Sequence, residues 1–398
     1  MDVDVAVIGA GQAGLSAAYF LNRAGLARET GYVVLDANPE AGGAWQHRWP
    51  SLKFGTAHRI HPLPGRAFGE VDASKPASEI VGNYYAEYEK RFALPVHRPV
   101  HVAHVTRGDD NRLDVVTDES SWHARAVINA TGTWSNPFWP HYPGMETFKG
   151  RQLHTVDYRS ADEFIGKHVV VVGGGNSAVQ LLVEISKVTT TTWVARHEPV
   201  WREGPFTEEA GRAAVALVEK RVREGLPPQS VVSVTGLGLT PDVADAKARG
   251  VLKRLPMFDY VTPDAVAWRG TDGNEGTAIK ADVILWCTGF RASLGHLASL
   301  DIRESGGGIR MLGTQVATEP RLHLVGYGPS SSTIGATRAG RAAVNAAVSL
   351  LGLSAVRVVD PLQLVEIQHS SESDWFTPAC GRPRVRPSGL GSSIWPQR

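Results

Sequence analysis

Gly9, Gly11 and Gly14 lie between two apolar runs in the N-terminal stretch VDVAVIGAGQAGLSAAYFL. The spacing G-x-G-x-x-G suits a chemistry in which the backbone meets the ligand. Gly9 permits a tight turn, Gly11 lets the chain approach a pyrophosphate, and Gly14 lets a helix pack closely on a strand. A helix opening at this point presents free N–H groups and its positive dipole end to phosphate. The next apolar run, YVVLD, ends in Asp36, about 20 residues further on, where an acid grips ribose hydroxyls. Gln12 and Ala13 within the turn, and Ala37 after the acid, join the candidate contacts.

A second set of the same type stands in GKHVVVVGGGNSAVQLLVEI, at Gly173, Gly175 and Ala178, with Asn176 and Ser177 between them. Alanine in the third place still allows close packing. The following run, TTTWVAR, ends in Arg196 where the first set has an acid. An acid repels a 2′-phosphate, whereas arginine forks onto it, and His197 is placed to assist. Two sites of opposite charge imply two different dinucleotides, FAD at the first and NADPH at the second. NADPH then supplies a hydride and the flavin accepts it.

These residues need particular elements to hold them. A buried parallel strand is expected over 3–8, a helix over Leu15–Leu21 and a second strand ending at Asp36. The second set calls for a strand from His168 to Val172, a helix to about Ser186 and a strand to Arg196. The segment 105–140 reads as hairpin-rich and ends in a buried strand and Ala130-Thr131-Gly132. A parallel element occurs later as ADVILWCTGF, with Thr288-Gly289-Phe290, so that each half has a glycine turn early and a strand–Thr-Gly end late. An amphipathic helix is expected over 207–225, and a strand, glycine-rich bend and closing helix over 321–350. The expected fold is α/β with two dinucleotide-binding (Rossmann-like) domains, the NADPH domain inserted into the FAD domain. Residues 1–150 and 291–351 would bind FAD, 151–290 NADPH, and 352–398 form a C-terminal extension.

The 398 residues exceed one ordinary core. Hydrophobic residues at 42% and charged residues at 20% are those of a globular protein. A net charge of +1 gives no reason to expect a nucleic-acid partner. No apolar run reaches membrane-span length and no signal peptide is expected. Cys287 and Cys380 are the only cysteines and neither lies in a CxxC, which points to a reducing compartment, the cytoplasm.

Several patterns carry less. His97, His101 and His104 have helical ligand spacing, but Pro95 and Pro99 argue for a surface strand or loop. HRIH at 58–61 is likewise not read as a metal site, and no metal is expected. Cys287, in VILWC, reads as a core thiol. Alanine at position 13 leaves no nucleophile in the first turn, and GPSSS at 328–332 lacks the second glycine of a nucleophile elbow. Trp134, Trp139 and Trp201 fall near the motifs and could line a pocket or fill core.

One stretch, FKGRQLHTVDY at 148–158, has no apolar run and no helical stripe. It is expected to be the passage between the two domains. Together with GAGQAG, DANPEAGGAW, ATG, GGGNSA, WVAR and CTGF, it resembles the class B flavin-containing monooxygenases, in their bacterial CzcO-like branch, over residues 3–350. Phe148, Gly150, His154 and Tyr158 fit the family's F-x-G-x-x-x-H-x-x-x-[F/Y] signature. In the related Baeyer–Villiger enzymes the last place is Trp; Tyr158 tilts the reading toward heteroatom oxidation.

The resemblance implies a cycle. NADPH reduces FAD, NADP⁺ stays bound, and O₂ adds to give a C4a-(hydro)peroxyflavin, which oxygenates an amine, a sulfide or a metalloid of a small molecule. It also implies roles for single residues. His154 faces the crevice where nicotinamide lies, with Tyr158 as the second catalytic candidate. Gly42, Gly43, Ala44 and Trp45 lie near the flavin's phosphates and ring, and Gln46, His47 or Arg48 faces the ribityl chain. Val102 meets the adenine, and Gly326, Thr333 and Ile334 close over the pyrimidine. The segment in which members place an Asn or Arg beside the flavin offers Lys53, Thr56 and Arg59 here but no clear equivalent, a departure from the family pattern. The alternatives are an NADPH-dependent flavin reductase or oxidase, a Baeyer–Villiger-type monooxygenase and a nucleotide-sensing module. Expected partners are a small-molecule substrate and O₂, with neither nucleic acid nor membrane, and a homodimer is allowed.

Overall fold

The computed structural model describes residues 1–57, 60–202, 208–228, 236–270 and 276–353, and for 208–214 the backbone alone. The expectations for His58, Arg59, Cys380 and the extension beyond Leu353 lie outside the described residues.

The apolar run at the N-terminus forms β1 (Asp2–Ile8), followed by α1 (Gln12–Arg23) and β2 (Tyr32–Leu35). Both strands are almost wholly buried, as a parallel strand covered on two faces must be. α2 (Ala77–Phe92) leads to β3 (Val96–His97). The hairpin-rich stretch becomes β4 (Val102–Arg107), β5 (Leu113–Thr117) and β6 (Ser121–Asn129), paired antiparallel in sequence order.

β7 (Arg151–His154), β8 (Val169–Val172), α3 (Asn176–Ile185) and β9 (Thr191–Val194) open the second sheet. Next come the short β10 (Trp201–Arg202), α4 (Glu208–Arg223), β11 (Leu237–Gly238), α5 (Pro241–Ala248) and β12 (Arg254–Leu255). β13 (Tyr260–Val261), β14 (Ala265–Trp268) and β15 (Thr277–Lys280) make an antiparallel three-stranded sheet before β16 (Val283–Trp286). β17 (Met311–Leu312), β18 (Gln315–Val316), β19 (Glu319–Leu324) and α6 (Thr333–Leu350) end the described chain.

The first sheet has nine strands along the path β17-β18-β19-β6-β1-β2-β3, with β4 and β5 off its side. β19 pairs parallel with β6, so the chain returns to the first sheet after building the second. The second sheet is β12-β9-β8-β16-β7, parallel throughout. This is the α/β architecture expected from the two glycine sets, the first sheet parallel at its centre with antiparallel additions and the second parallel throughout. α1 and α6 cross on one face of the first sheet; a Cβ on Gly340 would lie a tight 3.0 Å from Ala17 N and from Ser16 Cβ, so the helices cross closest where glycine has no side chain. No helix among the described residues is long and apolar enough to cross a membrane.

The stretch 148–158 departs from its expectation. Residues 151–154 form an edge strand paired parallel with β16, Leu285 opposite Leu153 and Trp286 opposite His154. A 3₁₀ turn follows over Thr155–Asp157. An edge strand has one neighbour and one open side, and so needs no continuous apolar run. Gly150 is required by proximity: a Cβ there would sit 2.3 Å from the Asp282 carbonyl oxygen and 2.6 Å from the Phe148 ring.

Candidate functional site

The first glycine turn divides its labour by residue. Gly9 has φ +99°, and a Cβ on it would lie 2.7 Å from the Ala130 carbonyl oxygen. A Cβ on Gly14 would lie 1.8 Å from the Gly9 oxygen, so neither position accepts another residue. Gly11 is different. Its Cβ direction is open, with only Gly43 Cα, at 4.0 Å, within reach. Gly43, at φ +52°, folds its own turn over Gly11. The result is a glycine-walled cradle at the N-terminus of α1, whose N-cap, Gly11, offers no capping side chain. The first-turn N–H groups are thus free for an anion. Gln12 is held beside it: Tyr85 donates to its Oε1 at 2.6 Å and its Nε2 donates to Thr337 Oγ1 at 3.0 Å. Ala13 is buried, 3.7 Å from the Cβ direction of Gly326. Thr333 Oγ1 accepts from His61 N at 3.3 Å, and Ile334 is exposed at the start of α6.

Asp36 is buried at the end of β2. Its carboxylate accepts from Arg98 Nε at 3.2 Å and from Asn38 Nδ2 at 3.0 Å. Arg98 also grips Glu89 with both terminal nitrogens, at 2.6 and 2.8 Å. A carboxylate has about four acceptor positions, so Asp36 keeps capacity for hydroxyl donors. Arg98 and Glu89 were not legible in the sequence, since they arrive from β3 and α2 with no local pattern. Val100 N donates to the Asp36 carbonyl at 2.8 Å, which brings the start of β4, with Val102, to the same end of the sheet. Ala37 is exposed beside it. A cavity of about 690 Å³ adjoins the clamp, lined in part by Pro39, Glu40, Glu79, Glu89 and Arg98.

The second turn repeats the plan. Gly173 has φ +146°, with its Cβ direction 2.2 Å from the Cys287 carbonyl oxygen; Gly175 has nothing within 4 Å. Ala178 is fully buried, and Gly175 caps α3 without a side-chain bond, leaving the first turn at Asn176 and Ser177 open. Trp193 Nε1 donates to the Gly173 oxygen at 2.7 Å, a support that sequence reasoning missed. β9 ends at Val194, two residues short of expectation, with Ala195 N still bonded to the Leu255 carbonyl of neighbouring β12. Arg196 and His197 are therefore exposed beyond the strand. Glu198 is engaged by Arg254, and no carboxylate among the described residues pairs with Arg196.

The two Thr-Gly ends lie at the carboxyl ends of β6 and β16, each strand a direct parallel neighbour of the strand that feeds a glycine turn. The chain crosses between the sheets there twice, and the two passages are stitched together. Phe138 N donates to the Gly289 oxygen at 2.9 Å, Arg291 N to the Asn136 oxygen at 2.9 Å, and Ser293 N to the Gly132 oxygen at 2.9 Å. Thr131 Oγ1 donates to the Ser293 oxygen at 2.7 Å, and Thr288 Oγ1 to the Phe138 oxygen.

His154 and Tyr158 are placed behind this junction instead of on an open crevice wall. His154 is fully buried. Its Nδ1 accepts from Val156 N at 3.4 Å, so its Nε2 carries the proton and donates to the Gly289 oxygen at 3.1 Å. Burial lowers its pKa against the opposing pull of the Gly289 carbonyl and Asp157, which keeps the ring neutral. Tyr158 is 1% exposed, edge-on to Trp49 at 5.8 Å, and donates to Glu184 Oε1 at 2.7 Å. Ser51 donates to the same oxygen at 2.6 Å, so α3, the signature and the segment after Trp45 meet at one carboxylate.

An aromatic row fills the junction. Trp134 stacks on Phe290 at 5.1 Å and lies nearly parallel to His47 at 6.3 Å; Phe290 meets His154 edge-on at 5.1 Å, and Trp139 lies tilted against the His154 ring at 5.7 Å. The His47 Nε2 shares a hydrogen with Asn38 Oδ1 at 2.8 Å. Arg48 places its guanidinium 4.2 Å from the Trp134 ring, and Trp45 lies 5.8 Å from it. Thr56 is not brought to the junction; it is exposed and bonds Lys53 in its own turn. Cys287 is a buried free thiol whose pKa is pushed up to about 12 by burial, which removes it as a nucleophile.

Residues 6–224 match the family described as pyridine nucleotide-disulphide oxidoreductase. The uncharacterised oxidoreductase CzcO of Bacillus subtilis is 32% identical over 295 residues, 73% of this chain and 82% of the relative. Trimethylamine monooxygenase of Pelagibacter ubique is 30% identical over 237 residues, 50% of this chain. The chain spans about half the length of several curated relatives, 53% for that enzyme and 56% for the CzcO of Bacillus velezensis. Among solved structures, a flavin-containing monooxygenase from Stenotrophomonas maltophilia superposes with TM-score 0.73 at 38% identity, over 88% of this chain and all of the other.

Proposed function

The chain belongs to the pyridine nucleotide-disulphide oxidoreductases and, within them, to the flavin-containing monooxygenases, and on that premise we propose that it is an NADPH-dependent FAD enzyme oxygenating a soft nitrogen or sulfur centre of a small molecule. The observation that carries this reading is the pair of open glycines, Gly11 and Gly175, each at an uncapped helix start, with an acid beyond one and an unpaired arginine beyond the other. Each cradle has room where a pyrophosphate must approach, and none where the neighbouring glycines pack.

FAD bound to the first sheet, once reduced by NADPH, supplies the electrons with which O₂ is split between product and water. The protein's part is to bind, orient and shield. The Gly11–Gly43 cradle and the α1 N-terminus hold the FAD diphosphate, and Asp36, oriented by Arg98, holds the ribose. Gly175 and the α3 N-terminus hold the NADPH diphosphate, and Arg196 forks onto the 2′-phosphate. In this reading residues 1–150 and 291–351 serve FAD and 151–290 serve NADPH. His154 is a positioning residue: its proton fixes the Gly289 carbonyl and with it the return passage beside the nicotinamide. Trp134 and Phe290, which are partly buried, help keep water from the junction. Trimethylamine monooxygenase, a relative named for an amine substrate, supports nitrogen as one target.

Product analysis tests this. With FAD-loaded protein, NADPH and ¹⁸O₂, thioanisole or trimethylamine should yield the labelled sulfoxide or N-oxide in step with NADPH consumed. Steady NADPH consumption that yields only H₂O₂ with both, or a lactone from cyclohexanone in their place, would overturn it.

A further inference from the structure

We propose that Arg48 is the receptor for a carboxylate on the substrate, so that the oxygenated molecule is a small, flat acid; this deepens the monooxygenase reading and rests on it. Arg48 follows the turn that closes over Gly11, and its guanidinium lies against Trp134. Its Nε is shielded from solvent and has no hydrogen-bond partner. No carboxylate pairs with Arg48 among the described residues, and burial pushes its pKa down to about 10. A guanidinium lying over a ring uses its face, while its N–H groups point outward in the plane and remain available to acceptors. Arg48 is partly exposed, so the outer part of its fork stays reachable while the shielded Nε lacks an acceptor, and an incoming anion supplies one.

The phosphates of the two dinucleotides have other recipients: the Gly11–Gly43 cradle, the Gly175 cradle and exposed Arg196. The ribityl chain, which the family resemblance sets near residues 46–48, is uncharged. Arg48 is thus left over when the cofactor charges are assigned. Its surroundings describe the rest of the ligand. Trp134 joins Phe290 in a stack at the carboxyl ends of β6 and β16, the edge at which ligands of α/β sheets bind. A planar carboxylate matches the arginine fork in two parallel bonds, and an aromatic or otherwise flat body suits the adjoining rings.

The test is equilibrium binding to the FAD-loaded full chain by titration calorimetry, with no turnover. The probes are 4-(methylthio)benzoate and 4-(methylthio)phenylacetate, each against its neutral amide. The expected result is that at least one acid binds the wild type tenfold or more tightly than its amide, and that Arg48→Met removes this preference while leaving amide binding. Arg48→Lys should restore part of it. Acids and amides that bind alike, or not at all, would overturn the proposal. So would an Arg48→Met protein that keeps the acid preference but loses FAD, read from its 450 nm to 280 nm absorbance, or NADP⁺ affinity; the anion would then be a cofactor phosphate. Because nothing is oxygenated in this assay, a failure of the monooxygenase reading shows in the product analysis alone.

Discussion

Asp36 and Arg196 stand in equivalent places, each just past the second strand of its strand–turn–helix–strand unit, and carry opposite charge. Exposed and with no carboxylate partner among the described residues, Arg196 can meet a phosphate, and NADPH differs from NADH by that group alone. Replacing Arg196 by alanine should raise KM for NADPH tenfold or more and leave KM for NADH within about threefold; equal losses would refute the 2′-phosphate role. His154 offers a second case. Its buried N–H to the Gly289 oxygen is of a type whose loss costs about 1–3 kcal/mol. His154→Ala should keep FAD but release NADP⁺ faster and raise the H₂O₂ fraction, and His154→Gln, which can still donate, should recover part of both. Loss of FAD from the alanine variant would make the residue a part of the flavin site instead. At this scale the glycines, Asp36 and Arg196 were legible because their roles rest on local backbone geometry and charge. Arg98, Glu89, Trp193 and Glu184 were not, because each reaches its partner from a distant element with no spacing rule to announce it.

Strands and helices explain why similar glycines have unlike tolerance. Gly14 has its Cβ direction 1.8 Å from the Gly9 oxygen, and Gly175 has empty space. Gly14→Ala should lose several kcal/mol of stability or fail to fold. Gly175→Ala should keep its Tm within about 2 °C yet bind NADPH at least tenfold more weakly, because the methyl enters the pyrophosphate's path. An unstable Gly175→Ala, or one with unchanged KM, would contradict the cradle. β19 carries a different dependence. His323 is fully buried, with Nδ1 near Thr314 Oγ1 at 3.1 Å and Nε2 unpartnered, and burial pushes its pKa down to about 4. Unfolded, it takes up a proton below about pH 6.5. Stability is therefore complete above that pH and falls as pH drops from about 6.5 toward 4, by up to about 1.4 kcal/mol per unit. His296, lowered to about 4 chiefly by burial, works in the same direction. Denaturant titrations over this range should show the slope reduced in His323→Asn, and parallel slopes would exclude His323 as its source. The central strands were readable from their valine runs. β7 was not, because an edge strand is defined by its neighbour β16, which lies about 130 residues away in the chain.

Across the described residues, the parallel strands of two sheets each present their ends, a glycine turn and a helix start to one junction, and two stitched passages of chain join them there. The repeated order of glycine turn and Thr-Gly end made this plan visible in the sequence. The three-way meeting of Ser51, Tyr158 and Glu184, and the burial of His154, depend on how the halves close on each other, which no local pattern encodes. In the proposed function this closure would keep water from the reduced flavin while it meets O₂. The most direct test is a stopped-flow experiment in which FAD-loaded protein, reduced anaerobically by NADPH and holding NADP⁺, is mixed with O₂. The expected result is a transient absorbance distinct from both reduced and oxidised flavin, which decays faster when thioanisole or trimethylamine is added. Return to oxidised flavin in one step, with one H₂O₂ per flavin and no effect of either substrate, would contradict it.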